Sequence, residues 1–399
     1  MNTFFCRAFQ CCFAIGAHLL PWRTPEVIAG EGSLLRATDI LHENGLRRPF
    51  VIASRRQCAD AHFRKLQEVL AAQDILLSIF SAVEPNPSVK TVEKIALQYR
   101  IDRCDCFLVI GGGSPMDAAK AAAARLARPE KSLSRLAGLL KVRRRIPPFI
   151  AVPTTAGTGS ETTIAAVITG EDHRKYAISD LCLIPRYAIL DPALSAALPP
   201  RITAETGMDA LTHAVEAYLS RFYNTKRTRT LAENAVVTIF AHLERAYCDG
   251  SSLPDRMAML QASFDAGAAF TRASVGNVHA IAHTLGGLYG TPHGLANAVL
   301  LPLVLEDYGA AAHPRLARLA GLLGLPGETE EARAKAFIAA ICAMNARMGI
   351  PDRFDCIREE DIPRMAAWAA QEANPVYPVP VIYDEARFAR VIERSRRGQ

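Results

Sequence analysis

The sequence predicts an α/β dinucleotide-binding domain with a parallel sheet, followed by an all-helical domain. Three observations carry that reading. Short apolar runs alternate with helical periods through the first half, the pattern that parallel βαβ units leave. One of those runs, residues 107–110, leads straight into three glycines. After Leu198-Pro199-Pro200 the strand signals fade and long helical periodicities take over. At 399 residues the chain is long for one core and ample for two. The expected cut gives residues 1–197 to the α/β domain and 198–399 to the helical one.

The elements follow in order. Residues 1–20 carry Phe4, Phe5, Phe9, Phe13 and Ile15, interrupted by Arg7, Gln10 and His18. No small-residue cleavage site follows a clean apolar run there. The segment therefore reads as an amphipathic helix that packs on the body or on a partner subunit, rather than a signal peptide or membrane span. A strand at 50–53 precedes a helix over 59–72, a strand at 75–80 and a helix over 89–99. The buried strand 107–110 runs into Gly111-Gly112-Gly113-Ser114, and a helix starts near Met116. Strand 148–152 ends in Thr154-Thr155-Ala156-Gly157-Thr158-Gly159-Ser160. Residues 162–169 and 176–179 flank a Gly170-Glu171-Asp172 turn and read as a β-hairpin, and 187–190 closes the sheet.

Composition excludes some classes. A net charge of +6 is small against 46 basic and 40 acidic residues, and no RNA- or DNA-binding motif is present. The basic stretch 125–145 reads as a solvated face. The ten cysteines are scattered without a CxxC pair, which fits reduced thiols in a cytoplasmic protein.

A strand, a glycine turn and a helix start place backbone N–H groups and the positive end of a helix dipole where a pyrophosphate can sit. A Cβ in the turn would block close approach of the backbone to the diphosphate. The segment is not a GxGxxG fingerprint, and a plain tight turn is the bland alternative. The Thr154–Ser160 turn supplies hydroxyls and amides that could line the same cofactor cleft.

Asp209 and His213 are four residues apart, so on a helix they share a face. His279, His283 and His293 lie within fifteen residues of one another. A carboxylate and several imidazoles suit a borderline divalent metal such as Fe(II), Zn(II) or Co(II). Spacing alone pairs His279 with His283 and does not say which histidine stays off the metal. Glu216, seven residues beyond Asp209, reads as a structural ion-pair partner. A metal beside a dinucleotide points to hydride chemistry.

Taken together, these segments resemble the iron-containing (group III) alcohol dehydrogenases over nearly the whole chain. The resemblance rests on residues 22–33, on Glu84-Pro85-Asn86-Pro87, and on GGGSPMDAAK at 111–120. It continues through PTTAGTGSE at 153–161, LDPALSAALPP at 190–200 and ETGMDALTHAVEAY at 205–218. GNVHAIAHTLGGLYGTPHGLANAVLLP at 276–302 is the longest block. The family implies a dehydroquinate synthase-like architecture with the active site in the cleft between the domains. It implies Asp209, His213, His279 and His293 as metal ligands, with His283 off the metal near the nicotinamide as the proton path. It also implies that Gly112, Gly113 and Ser114 hold the diphosphate, with Asn86, Asp117, Thr154, Thr155 and Lys175 around the cofactor. Dimers or larger homo-oligomers are common in such a family.

One departure concerns the cofactor. Residues 51–54 lead into Arg55-Arg56, where many family members have an aspartate that bonds the ribose 2′-OH. Arginine attracts a 2′-phosphate, which favours NADP(H) over NAD(H). The uncharged 276–302 block, with Phe270, Leu288 and Tyr289 as pocket candidates, points to a small aliphatic alcohol or aldehyde. The rival is a metal- and NAD-dependent lyase or synthase acting on a polar or phosphorylated substrate on the same scaffold.

Overall fold

The computed structural model describes residues 3–170 and 175–398. Among these residues nine strands follow in chain order: β1 (Glu26–Ala29), β2 (Pro49–Ala53), β3 (Ser78–Phe80), β4 (Cys106–Gly111), β5 (Gly138–Leu139), β6 (Phe149–Pro153), β7 (Ala165–Thr169), β8 (Lys175–Ser179) and β9 (Tyr187–Leu190). Six of them form one sheet in the order β1-β9-β6-β4-β2-β3, and every neighbouring pair in it is parallel. β2, β4, β6 and β9 are buried along their whole length. Continuous apolar runs are what a sheet covered on both faces requires.

Alternate residues of these strands feed two cores. Phe50, Ile52, Phe107, Val109 and Phe149 pack with Val92, Ile95 and the alanines of helix Gly113–Ala127. Val51, Leu108, Ile110 and Ile150 face the other way, against Ile40, Leu41, Phe63 and Leu66. Period two on a strand thus separates the layers. β5, β8 and β7 make a second, three-stranded sheet, in which β7 and β8 form the expected antiparallel hairpin. Glu171 and Asp172 of its turn lie outside the described residues.

The structure refines several boundaries. β1 has no long apolar run to announce it, and its residues are largely exposed at the sheet edge. β3 is only three residues long, and before it Leu76 N–H donates to the Arg47 carbonyl, ahead of β2. The helix expected near Met116 begins at Gly113, with Gly112 as its N-cap. That shift puts Gly113 and Ser114 in the first turn, where N–H groups lack intrahelical partners.

The chain divides into two units, with the main boundary one residue beyond the expected cut at 197/198 and two segments assigned differently. One unit holds Pro21–Leu198 together with Ser251–Phe264. The other holds the N-terminal residues through Leu20, Pro199–Gly250, and the chain from Asp265 onward. Residues 251–264 join the α/β unit because Leu260 and Phe264 pack on Ala188 and Leu190 of β9. The N-terminal helix Thr3–His18 joins the helical unit through the buried stripe Cys6, Gln10, Ala14 and Ala17. Its Arg7 donates to the carbonyls of Val379 and Pro380. No single helix among the described residues is long and apolar enough to cross a membrane.

Candidate active site

Three helices of the helical unit supply one cluster. Asp209 and His213 stand in the middle of helix Pro200–Leu219, His279 in the first turn of helix Asn277–Tyr289, and His293 opens helix His293–Tyr308. Their ligand atoms all lie within 4.8 Å of one another. His293 Nε2 is 3.5 Å and His213 Nδ1 is 4.0 Å from Asp209 Oδ1. A tetrahedral ion with bonds of about 2.1 Å needs donors about 3.4 Å apart, so small side-chain rotations suffice. His293 reaches Asp209 because its helix starts very close to the Asp209 helix. A Cβ on Gly294 would fall 2.2 Å from the Glu205 carbonyl oxygen, so only glycine fits there.

The surroundings have the polarity that a cation needs. The Asn297 amide nitrogen donates to Asp209 Oδ1 at 2.7 Å and lies 3.2 Å from both His279 Nε2 and His293 Nε2. Three acceptors thus converge on one electropositive group. His213 is stacked between Phe270, at 4.1 Å between ring centroids, and His279, at 4.5 Å. Burial, reinforced by the neighbouring imidazoles, holds the His279 pKa well below the usual histidine range. The neutral imidazole is the form that binds a metal.

Glu216 turns out to be more than an ion-pair partner. Its Oε2 lies 2.6 Å from His279 Nδ1, and its two oxygens accept from the N–H groups of Gly276 and Val278 at 2.8 Å. One buried carboxylate therefore caps the His279 helix and orients its imidazole, as outer-shell partners of metal-ligating histidines do. Burial pushes the Glu216 pKa up, and the N–H groups of Gly276, Val278 and His279 pull it back. The structure keeps His283 out of the four-residue cluster. Its ring stacks on His293 at 5.2 Å while its Nδ1 lies 2.6 Å from Glu372 Oε1.

In the α/β unit Arg55, the glycine turn, Thr154 and Thr155 gather at the carboxyl ends of adjacent strands, where α/β sheets bind ligands. Ala53 pairs with Ile110, and Gly111 with Pro153. Arg55, the glycine turn and the Thr154–Ser160 turn therefore leave the sheet side by side. A Cβ on Gly113 would meet Thr158 Cγ2 at 2.9 Å, and one on Gly112 would meet Thr155 Oγ1 at 3.0 Å. Those glycines are thus demanded by the neighbouring turn itself, in addition to any ligand. Asn86 N–H donates to Ser114 Oγ at 3.3 Å, and Lys175 Nζ donates to Asn86 Oδ1 at 2.7 Å. Thr154 Oγ1 accepts from Gln57 at 2.9 Å. The two arginines separate: Arg56 donates to the Ala197 carbonyl, while Arg55 stays exposed.

Asp117 sits one turn below Ser114 and takes a hydrogen bond from Ser160 Oγ at 3.1 Å. Burial raises its pKa to about 6, against the opposing pull of Lys120. Lys120 is completely buried and donates to the carbonyls of Ser160, Thr163 and Ala165. It pins the second turn beneath the first. Sequence reasoning missed the roles of Lys120, Asn297 and Glu372. Asn297 had a signal, since it lies one turn beyond His293; Glu372 had none.

Known proteins resemble this chain along most of its length. Residues 24–192 match the iron-containing alcohol dehydrogenase model, and residues 203–387 match the C-terminal model of the Fe-containing alcohol dehydrogenase family. The chain is 40% identical to 1,3-propanediol dehydrogenase from Klebsiella pneumoniae over 325 residues, covering 80% of this chain and 83% of that one. It is 36% identical to NADPH-dependent butanol dehydrogenase from Clostridium saccharobutylicum, covering 72% and 74%. The solved structure of a 1,3-propanediol oxidoreductase superposes with a TM-score of 0.90 at 34% identity, covering 94% of this chain and 100% of that one.

Proposed function

The chain belongs to the iron-containing alcohol dehydrogenase family and is an alcohol/aldehyde oxidoreductase, and from that premise we propose how its residues divide the work. Asp209, His213, His279 and His293 hold a divalent metal, Fe(II) or Zn(II). The convergence of those four donors within 4.8 Å is the observation that carries the reading. Bound there, the ion supplies Lewis-acid polarisation of the substrate oxygen, and a nicotinamide supplies or accepts the hydride. Glu216 keeps His279 in the orientation and tautomer that offer Nε2 as a donor. His283 carries the proton.

Gly112, Gly113 and Ser114 hold the cofactor diphosphate at the helix start, with Asn86, Asp117, Thr154, Thr155 and Lys175 around it. Arg55, exposed at the end of β2, favours NADP(H) by pairing with a 2′-phosphate. The NADPH dependence of the butanol dehydrogenase relative supports that preference. The substrate is a small aliphatic alcohol or aldehyde, and the lyase alternative is not favoured, because the matched relatives are alcohol dehydrogenases and a lactaldehyde reductase. All ten cysteines are free thiols, which supports a reducing, cytoplasmic setting. Equilibrium dialysis against Fe(II) or Zn(II) tests the metal assignment. Wild type should retain a single tightly held ion and Asp209→Ala should retain none; equal retention would refute it.

A further inference from the structure

A carboxylate stands behind His283. Glu372 Oε1 lies 2.6 Å from His283 Nδ1, and the same oxygen accepts a hydrogen bond from the Tyr377 hydroxyl at 2.7 Å. Glu372 is near the end of helix Ile362–Ala373, whereas His283 is in the middle of helix Asn277–Tyr289. Helix packing brings them together from 89 residues apart. The ring of His283 is meanwhile stacked on His293, with 16° between the planes, and set edge-on to His279 at 6.0 Å.

The support behind Glu372 is itself tied down. Gln10 of the N-terminal helix donates to the carbonyls of Pro375 and Tyr377 at 3.0 and 2.8 Å. Tyr223 donates to the Val376 carbonyl at 3.0 Å, and the Arg221 N–H to the Pro378 carbonyl at 2.8 Å. Tyr377 thus belongs to a segment fastened by the N-terminal helix and by the loop that follows the Asp209 helix.

We propose that Glu372, backed by Tyr377, is a positioning residue for His283. The carboxylate accepts the Nδ1–H, which fixes the ring plane and leaves Nε2 as the acceptor nitrogen. This rests on the reading of His283 as the proton carrier, and the test separates the two.

The test compares His283→Ala, Glu372→Ala, Glu372→Gln, Tyr377→Phe and the double variant H283A/E372A as metal-loaded enzymes, measuring kcat, KM and bound metal. Glu372→Ala should lower kcat roughly tenfold to hundredfold, part of the roughly 10²–10⁴-fold that a positioned general base contributes, with KM and metal content unchanged. Glu372→Gln keeps an acceptor oxygen and should recover part of the loss. Tyr377→Phe should cost less than Glu372→Ala. If Glu372 acts through His283, the double variant is no slower than His283→Ala alone. In Zn(II)-loaded protein labelled with 15N-histidine, a low-field Nδ1–H resonance should vanish in Glu372→Ala. Additive losses in the double variant overturn the proposal, as does an unchanged kcat in Glu372→Ala when His283→Ala is slow. Full activity in His283→Ala sinks the proton-carrier reading and this proposal with it. Should Glu372→Ala fail to fold, Glu372→Gln and Tyr377→Phe, each paired with His283→Ala, separate the same outcomes.

Discussion

Asp209, His213, His279 and His293 come from three helices and meet through their side chains, whereas Gly112, Gly113 and Ser114 come from one turn and offer mainly backbone. The first site is held from behind by a second layer of side chains: Glu216 on His279, Asn297 on Asp209, and Phe270 against His213. The second is held from beneath, by the Thr155 and Thr158 side chains and by Lys120. A metal takes its charge compensation and geometry from a few directed atoms, so those atoms must be stiff. A diphosphate spreads its charge over several oxygens, and a row of amides at a helix start suffices. Substitutions should therefore act abruptly in the helical unit and gradually in the α/β unit, with Lys120 as the exception.

The largest effect is expected at the tetrad. Asp209→Ala removes its only carboxylate and should lower kcat/KM by at least roughly a thousandfold, equivalent to about 4 kcal/mol, through loss of bound metal. Metal analysis and initial rates on one preparation check this; a variant that keeps its ion yet loses activity would show that Asp209 serves another purpose. Next comes Lys120→Met, which leaves the buried carbonyls of Ser160, Thr163 and Ala165 without their donor and should cost about 3 kcal/mol of stability. Urea unfolding measures it, and a loss below about 1 kcal/mol would mean that the turn is held otherwise. Glu216→Gln keeps the shape but weakens the pull on His279, and metal affinity should fall roughly tenfold to hundredfold by competition titration. Smallest is Arg55→Asp, which should move the NADPH/NADH preference by roughly tenfold towards NADH. An unmoved ratio would break the Arg55 reading while leaving the tetrad untouched.

The same contrast explains what the sequence made legible. Strands 107–110 and 148–152 and the turns after them are local patterns, so the sheet and the cofactor loops could be read from runs of residues. Gly113 was harder to place, because a helix start shifts by a turn without changing its periodicity. The tetrad was visible only as a collection of residue types. Spacing paired His279 with His283, and only the family resemblance separated them. In the structure His279 is one of the four residues whose ligand atoms lie within 4.8 Å of one another and His283 is not, and each Nδ1 meets a carboxylate from a different helix, Glu216 for His279 and Glu372 for His283. Helix packing decides such partners, and no window of sequence contains them. Residues 251–264 escaped the domain cut for the same reason, since their helical period says nothing about which unit they pack on.

If the four-residue cluster holds the metal on which hydride transfer depends, activity must follow the occupancy of that cluster. The decisive experiment is the initial rate of NADPH and NADH oxidation with a short aliphatic aldehyde. The protein would be stripped by a chelator and then titrated with Fe(II) or Zn(II), with Asp209→Ala run in parallel. Stripped protein should be inactive, the rate should return in proportion to bound ion, and Asp209→Ala should never recover. A rate that survives stripping, or an Asp209→Ala variant that turns over like wild type, would refute the metal-dependent reading of the cluster.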